Sequence, residues 1–218
     1  MRIVIVANAP VIADPRLLNC IDEADYLIAA DGGGLVLHAI GRAPHLLIGD
    51  LDSIDERSLR FFTNAGTDIR QYPREKNETD LEVALLAAVS IGAHAIELFC
   101  VLGGRWDHTL ATIAMLSMPM LSDIQVRIYA DGQVISLIRD AVVIHGAIGD
   151  VVSLLPMTPT VNGISTSGLA YPLSNATLYF ERSRGVSNVL THQEASVVIG
   201  DGLLLLVQSI SESESHVF

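Results

Sequence analysis

Cysteine and positive charge are the two things this chain has least of. Its two cysteines, Cys20 and Cys100, are too few for a disulfide framework, and neither sits in a CxxC pair of the kind that binds metal. Both read as small buried hydrophobes in a chain kept reduced. Lys and Arg total 13 against 25 Asp and Glu, a formal net charge of −12. Nucleic acid is gripped mainly through Lys and Arg, so with no basic stripe a nucleic-acid partner is excluded. No apolar run approaches the roughly 18 residues of a membrane-spanning helix, which argues against a membrane partner. The opening residues 1–8 are too short and too strand-like for a signal peptide, so a cytoplasmic setting is expected. The scattered histidines, among them His38, His45, His94 and His145, lack metal-ligand spacing, and no internal repeat is visible.

What the chain has in quantity is apolar surface. Half of its 218 residues are hydrophobic, enough for a sizeable core in one large domain or two small ones. Apolar, β-branched runs at residues 3–7, 26–30, 46–48, 68–72, 95–102 and 124–129 read as strands. Helical patterns at 35–40, 55–64, 80–90 and 107–117 fall between them, with Gly66 and Gly92 as stop signals. Alternation of this kind predicts an α/β domain over residues 1–131, with a covered parallel sheet in a Rossmann-like layout. Asp131-Gly132 is a hairpin signal, and the rhythm changes there. Short strand-like runs follow at 133–138, 141–144, 151–155, 176–180, 195–199 and 203–208, broken by Gly, Pro, Asn and Ser. Residues 132–218 are therefore expected to form an all-β sandwich or barrel, with a frayed polar tail at 211–215.

Open parallel sheets bind ligands beyond the carboxyl ends of their strands, and the polar clusters fall at such ends. Asp31-Gly32-Gly33-Gly34 follows one strand, Asp50-Leu51-Asp52 another, and Gly103-Gly104-Arg105 a third. In an extended segment residues i and i+2 point the same way, so the Asp50 and Asp52 carboxylates are expected to face one point. Paired carboxylates at a strand end are a common way to hold Mg²⁺ against substrate phosphates. Asp80, at a helix start, offers a third carboxylate, although Thr79 to Glu82 also reads as a capping box. Lys76, four residues earlier, has no part in such a cap. Arg105 suits charge developing on a transferring phosphoryl group, whereas Asp107 is equally well explained as a helix cap. The lone Trp106 is expected to pack, and residues 183–188 read on composition as a polar hairpin loop.

Taken in order, these clusters resemble the thiamine pyrophosphokinase family, in particular its bacterial form. The matching pieces are Asp31-Gly32-Gly33, Gly49-Asp50-Leu51-Asp52-Ser53, the run from Lys76 to Glu82, and Gly103-Gly104-Arg105-Trp106-Asp107-His108. Two later pieces, Gly168 to Leu173 and Ser183 to Asn188, match as well, so the resemblance spans nearly the whole chain. It implies a catalytic, ATP-binding α/β domain, a thiamine-binding and dimerising β domain, and a homodimer. It also implies transfer of a pyrophosphoryl group from ATP to the thiamine hydroxyl, giving thiamine diphosphate and AMP. On this resemblance Asp50, Asp52 and Asp80 gather Mg²⁺ and, with Arg105, carry the catalysis. Asp31, Lys76 and Asp107 complete the nucleotide and phosphate site, and Ser187 and Asn188 help form the thiamine pocket. Either Asp50 or Asp80 could take the hydroxyl proton. Val189 stands where the family often has an acidic residue, and Glu181-Arg182 where a glycine is commoner, both beside the implied thiamine pocket.

Three other readings use the same residues. A metal-dependent phosphohydrolase would turn the carboxylates on water but leaves residues 183–188 unexplained. A pyrophosphokinase for another hydroxymethyl heterocycle, such as a pterin, keeps the ATP site and changes the acceptor. A non-catalytic nucleotide or thiamine sensor fits a chain missing a carboxylate or Arg105, and here all are present.

Overall fold

The computed structural model describes residues 1–9 and 14–210; the tail at 211–215 lies outside the described residues. The chain divides into two compact units, Met1–Asp131 and a second beginning at Gly132. Asp131 and Gly132 both have positive φ, 49° and 73°, the backbone that an Asp-Gly turn favours.

In the first unit strands and helices alternate. The order is β1 (Arg2–Val6), α1 (Leu17–Glu23), β2 (Tyr26–Ala30), α2 (Gly33–Ala39), β3 (Leu46–Gly49) and α3 (Glu56–Ala65). It continues with β4 (Asp68–Gln71), α4 (Asp80–Ile91), β5 (Ala95–Phe99), α5 (Trp106–Met115) and β6 (Gln125–Ala130). Every pairing is parallel, in the order β6-β5-β1-β2-β3-β4. Ile3 to Val6 and Leu46 to Ile48 are fully buried, as strands covered on both faces must be. Strand order reverses between β1 and β5, the switch point at which open sheets bind ligands.

Local signals account for where α3 and α4 start and stop. The Asp55 carboxylate accepts from Ser58 N at 2.7 Å, and Thr79 Oγ1 accepts from Glu82 N at 3.2 Å. Each such cap stabilises its helix by about 1 kcal/mol. Gly66 and Gly92 close the two helices in the left-handed conformation. Helix α1 has no such signal: no side chain caps it at Arg16, so the sequence pattern passes over it.

An ion pair also lies hidden in the first unit. Glu97 on β5 is 4% exposed, and Arg2 Nη2 reaches its two carboxylate oxygens at 2.9 and 3.1 Å. The buried charge must be partnered because desolvation would otherwise outweigh it. Burial, reinforced by Glu97, pushes the neighbouring Cys20 thiol and Tyr129 phenol up to about 12. Both cysteines are buried and free.

The second unit is all β among the described residues. Its strands are β7 (Gln133–Ile138), β8 (Ala141–His145), β9 (Val151–Pro156), β10 (Thr160–Ser167), β11 (Ala176–Tyr179), β12 (Asn188–Val189), β13 (Glu194–Val198) and β14 (Leu204–Ser209). They form two antiparallel layers, β12-β9-β14-β7 and β11-β10-β13-β8. Val152, Leu154, Leu204 and Leu206 from one layer share a core with Ile144, Val161, Ile164, Leu178 and Val197 from the other. This is a sandwich. Strand β10 escapes the sequence pattern because Gly163 (φ 69°) breaks it, and its register on β11 shifts between Val161 and Ile164.

Candidate active site

The acidic rim forms where β2 and β3 end. Asp31 N donates to Ile48 O at 2.8 Å, which fixes Asp31 beside the last residues of β3. Beyond Gly49 the chain does not continue extended, contrary to the i, i+2 expectation. Leu51 adopts φ 63°, and Asp52 N donates to Asp50 Oδ1 at 3.1 Å, an Asx-type turn. The two carboxylates therefore converge through a tight turn instead of a pleat. A left-handed leucine costs about 1 kcal/mol or more, and strain of that kind gathers at working sites. Tyr72 N donates to Gly49 O at 2.8 Å and Gln71 Nε2 to Asp50 O at 3.2 Å, so the end of β4 closes the other side. Asp50, Asp52, Gln71, Tyr72, Pro73 and Arg74 line an open cleft of about 410 Å³.

Carboxylate oxygens of Asp31, Asp50 and Asp52 lie within 4.8 Å of one another. Opposite oxygens around an octahedral Mg²⁺ stand about 4.2 Å apart, twice a ~2.1 Å bond, so small side-chain rotations suffice. Ser53 Oγ lies 2.8 Å from Asp31 Oδ2 and 3.2 Å from Asp52 Oδ1, so its one proton is shared between the two carboxylates. Asp31 Oδ1, by contrast, is shielded from water and accepts no hydrogen bond. An orphaned buried carboxylate oxygen within an all-oxygen donor set fits a hard divalent cation.

The sequence reading sets Asp80 beside Asp50 and Asp52; among the described residues the carboxylates with oxygens within 4.8 Å of one another are those of Asp31, Asp50 and Asp52. Asp80 is nevertheless close by: a Cβ on Gly49 would meet Asp31 Cβ at 3.0 Å and Asp80 Oδ1 at 3.1 Å. Glycine at position 49 is what lets the two approach. Lys76 Nζ lies 2.8 Å from Asp80 Oδ1. The contact is an ion pair by distance without the angles of a hydrogen bond, since that oxygen accepts none.

At the end of β5, Gly103 and Gly104 turn the chain into α5 with φ of 101° and 72°. Arg105 stands at the N-cap, so Asp107 lies in the first turn and does not cap the helix. Arg105 grips Asp107 through Nε and Nη2, and that hydrogen bonding holds the Asp107 carboxyl down at about 2. Both side chains are exposed. Trp106, expected to pack, is 79% exposed; it begins the helix beside two exposed ionic groups.

In the second unit Ser187 is exposed at φ 60°, its backbone N–H donating to Ser153 Oγ at 3.0 Å. Asn188 is buried at 7%. Its Oδ1 accepts from Tyr171 N at 2.9 Å and its Nδ2 donates to Tyr171 O at 2.8 Å. The amide ties the 168–173 segment to β12, a pairing between two motifs that sequence spacing could not reveal. Thr177, Leu178, Tyr179, Arg182, Ser183 and Arg184 line a hollow of about 340 Å³.

Carboxylates that fit a hard cation at the ends of parallel strands, with lysine and arginine near, are the arrangement of metal-assisted phosphoryl-transfer enzymes. The sequence matches the family model "Thiamin pyrophosphokinase, catalytic domain" over residues 17–128 and "Thiamin pyrophosphokinase, vitamin B1 binding domain" over residues 140–204. The chain belongs to the thiamin pyrophosphokinase family. Thiamine pyrophosphokinase of Bacillus subtilis is 28% identical over 94% of this chain and 97% of its own length. Its crystal structure superposes with a TM-score of 0.87, covering 97% of this chain and all of that one. The enzyme of Geobacillus thermodenitrificans superposes at 0.81 with 26% identity, over 98% of this chain and 99% of that one. Thiamine pyrophosphokinase 2 of Arabidopsis thaliana is 29% identical over 78% of this chain and 67% of its own length.

Proposed function

We propose that this chain transfers the pyrophosphoryl group of ATP to the hydroxyl of thiamine, giving thiamine diphosphate and AMP, as a Mg²⁺-dependent homodimer in the cytoplasm. Membership of the family supports the reaction. The observation that carries the assignment of the site is the convergence of Asp31, Asp50 and Asp52, with an orphaned Asp31 oxygen among them. On this reading Asp31, Asp50 and Asp52 hold the metal, and Asp80, close by, completes the site. Magnesium bound there would draw charge off the phosphoryl oxygens and keep the polyphosphate in one pose.

The remaining chemistry belongs to the chain's own groups. The thiamine oxygen attacks the β-phosphorus in line, an O–P bond forms, and the bond from that phosphorus to the AMP oxygen breaks. A rim carboxylate, Asp50 or Asp80, accepts the hydroxyl proton. Lys76 and Arg105 offset charge on the phosphates, and Asp107 keeps the Arg105 fork in one orientation. Leu51's turn holds Asp50 and Asp52 ready before substrate arrives. In the second unit Ser187 offers an exposed hydroxyl to thiamine, while Asn188 shapes that surface through its grip on Tyr171. No protein nucleophile is needed, because the acceptor supplies its own.

The nearest rival keeps the ATP site and changes the acceptor, since Val189 and Glu181-Arg182 depart from the family pattern beside the implied thiamine pocket. Incubating the purified chain with ATP, Mg²⁺ and either thiamine or a hydroxymethyl pterin separates the two. Thiamine diphosphate in the product mass spectrum, with the pterin unchanged, is the expected result. A pyrophosphorylated pterin with thiamine untouched would remove thiamine as acceptor.

A further inference from the structure

The loop between β4 and α4 carries two cations, and each is paired with a different carboxylate of the acidic rim. Arg74 Nη2 lies 3.2 Å from Asp52 Oδ2, and Lys76 Nζ lies 2.8 Å from Asp80 Oδ1. Lys76 N donates to Arg74 O at 3.1 Å and Lys76 Nζ to Pro73 O at 3.4 Å, so the two stems share one short turn. They differ in exposure. Lys76 is only 12% exposed at its side chain and Arg74 is 81% exposed. Neither the capping of α4 by Thr79 nor the packing of that helix uses either charge.

We propose that Arg74 and Lys76 are exchangeable counter-ions of the metal carboxylates: they neutralise Asp52 and Asp80 while no metal is bound, and move to the nucleotide's phosphates when metal and nucleotide arrive together. The inference rests on the metal site proposed above and adds Arg74 to it. Four carboxylates meeting at one rim repel one another, and a nearby cation lowers that repulsion. A metal ion entering alone must evict these cations into water, where they gain no partner. A metal ion entering with a polyphosphate brings new anionic oxygens within reach of the same loop. The loop therefore weakens binding of metal alone and strengthens binding of the metal–nucleotide pair. That is a coupling between two ligands, and by linkage each must raise the other's affinity equally.

Arg74 is the side to test, because its exposed pair can be removed without opening the fold. The probe is Mn²⁺, counted by its EPR signal in the ATP-free protein and again with a non-hydrolysable ATP analogue. Exposed ion pairs are weak, so Arg74→Gln should bind Mn²⁺ alone about threefold to fivefold more tightly than the unaltered chain. With the analogue present the gain should shrink or reverse, and the analogue itself should bind more weakly. Arg74→Lys, which keeps the charge, should stay within about twofold of the unaltered chain in both series, by the same small size of exposed pairs. Unchanged or weaker Mn²⁺ binding by Arg74→Gln would overturn the exchange, as would Arg74→Lys behaving like Arg74→Gln. Asp52→Asn separates this failure from that of the metal site. If it binds Mn²⁺ like the unaltered chain with and without the analogue, the carboxylate site itself is wrong. If it loses Mn²⁺ while Arg74→Gln changes nothing, the site stands and only the exchange is lost.

Discussion

The acidic rim of the first unit and the 183–188 segment of the second are both dense in polar residues, yet they are built on opposite terms. At the rim, Asp31 Oδ1 is shielded from water with no hydrogen-bond partner, and Leu51 holds a left-handed backbone. In the second unit both ends of the Asn188 side chain are occupied by the Tyr171 backbone. Unfilled bonding capacity and local strain mark groups held ready for a ligand. Filled capacity marks a group that holds the fold. The rim thus keeps bonding capacity open for a ligand, whereas Asn188 spends its capacity on the fold.

The largest expected effect breaks the first half of that comparison. Asp52→Asn keeps the side-chain volume and removes the charge, so turnover should fall by at least about a hundredfold, the scale for losing one preorganised electrostatic group. The unfolding midpoint should scarcely move, since Asp52 is exposed. Steady-state AMP release and thermal unfolding followed by circular dichroism measure the two quantities. Activity near that of the unaltered chain would take Asp52 out of the site.

Asn188→Ala reverses the pattern. It removes the side-chain partner of the Tyr171 N–H and C=O, which should cost about 1–2 kcal/mol of stability at the usual ~0.5–1.5 kcal/mol per hydrogen bond. Urea unfolding measures the loss. An unchanged urea midpoint would mean that water replaces the amide and that Asn188 is no clamp. Ser187→Ala sharpens the contrast within one dipeptide: stability should hold, because only its backbone N–H is tied down, and KM for thiamine should rise about fivefold to tenfold, the scale of one hydrogen bond. An unchanged KM would leave the Ser187 hydroxyl without a part in binding.

The smallest effect concerns the buried layer around Glu97. Cys20 and Tyr129 are both pushed up to about 12 by burial and by the Glu97 charge, from ordinary values of 9.0 and 10.0. Unfolding releases them to those lower values, so the unfolded chain loses protons first as pH rises. Their contribution should be intact below about pH 9 and fade between roughly pH 9 and 12. Chemical unfolding across that range should show a steady decline. A flat profile would contradict the burial of the pair, and so would rapid alkylation of Cys20 in the folded chain.

Much of this was legible in the sequence because the signals were local. Continuous β-branched runs such as residues 3–6 gave the buried strands, Thr79 and Gly92 bracketed α4, and Asp131-Gly132 marked the change from α/β to β. The ordered motifs pointed to the family before any geometry. What escaped was non-local or conformational. Helix α1 lacks caps, β10 hides its strand behind Gly163, and the Arg2–Glu97 pair joins residues far apart in the chain. At the rim, spacing placed Asp50 and Asp52 together for a reason other than the one observed: they converge through Leu51's turn and not through a pleat, and Asp31 joins them from the end of β2. Whether Trp106 is covered depends on tertiary packing, which no spacing rule reports.

The most direct test of the account is stoichiometric. The purified chain is given ATP, Mg²⁺ and thiamine, and the phosphorus species are followed by ³¹P NMR with a thiamine-free control. The account predicts AMP and thiamine diphosphate appearing in equal amounts, and neither without thiamine or after magnesium is chelated. ADP with free phosphate, or AMP formed at the same rate whether or not thiamine is present, would contradict it and return the rim carboxylates to the role of activating water.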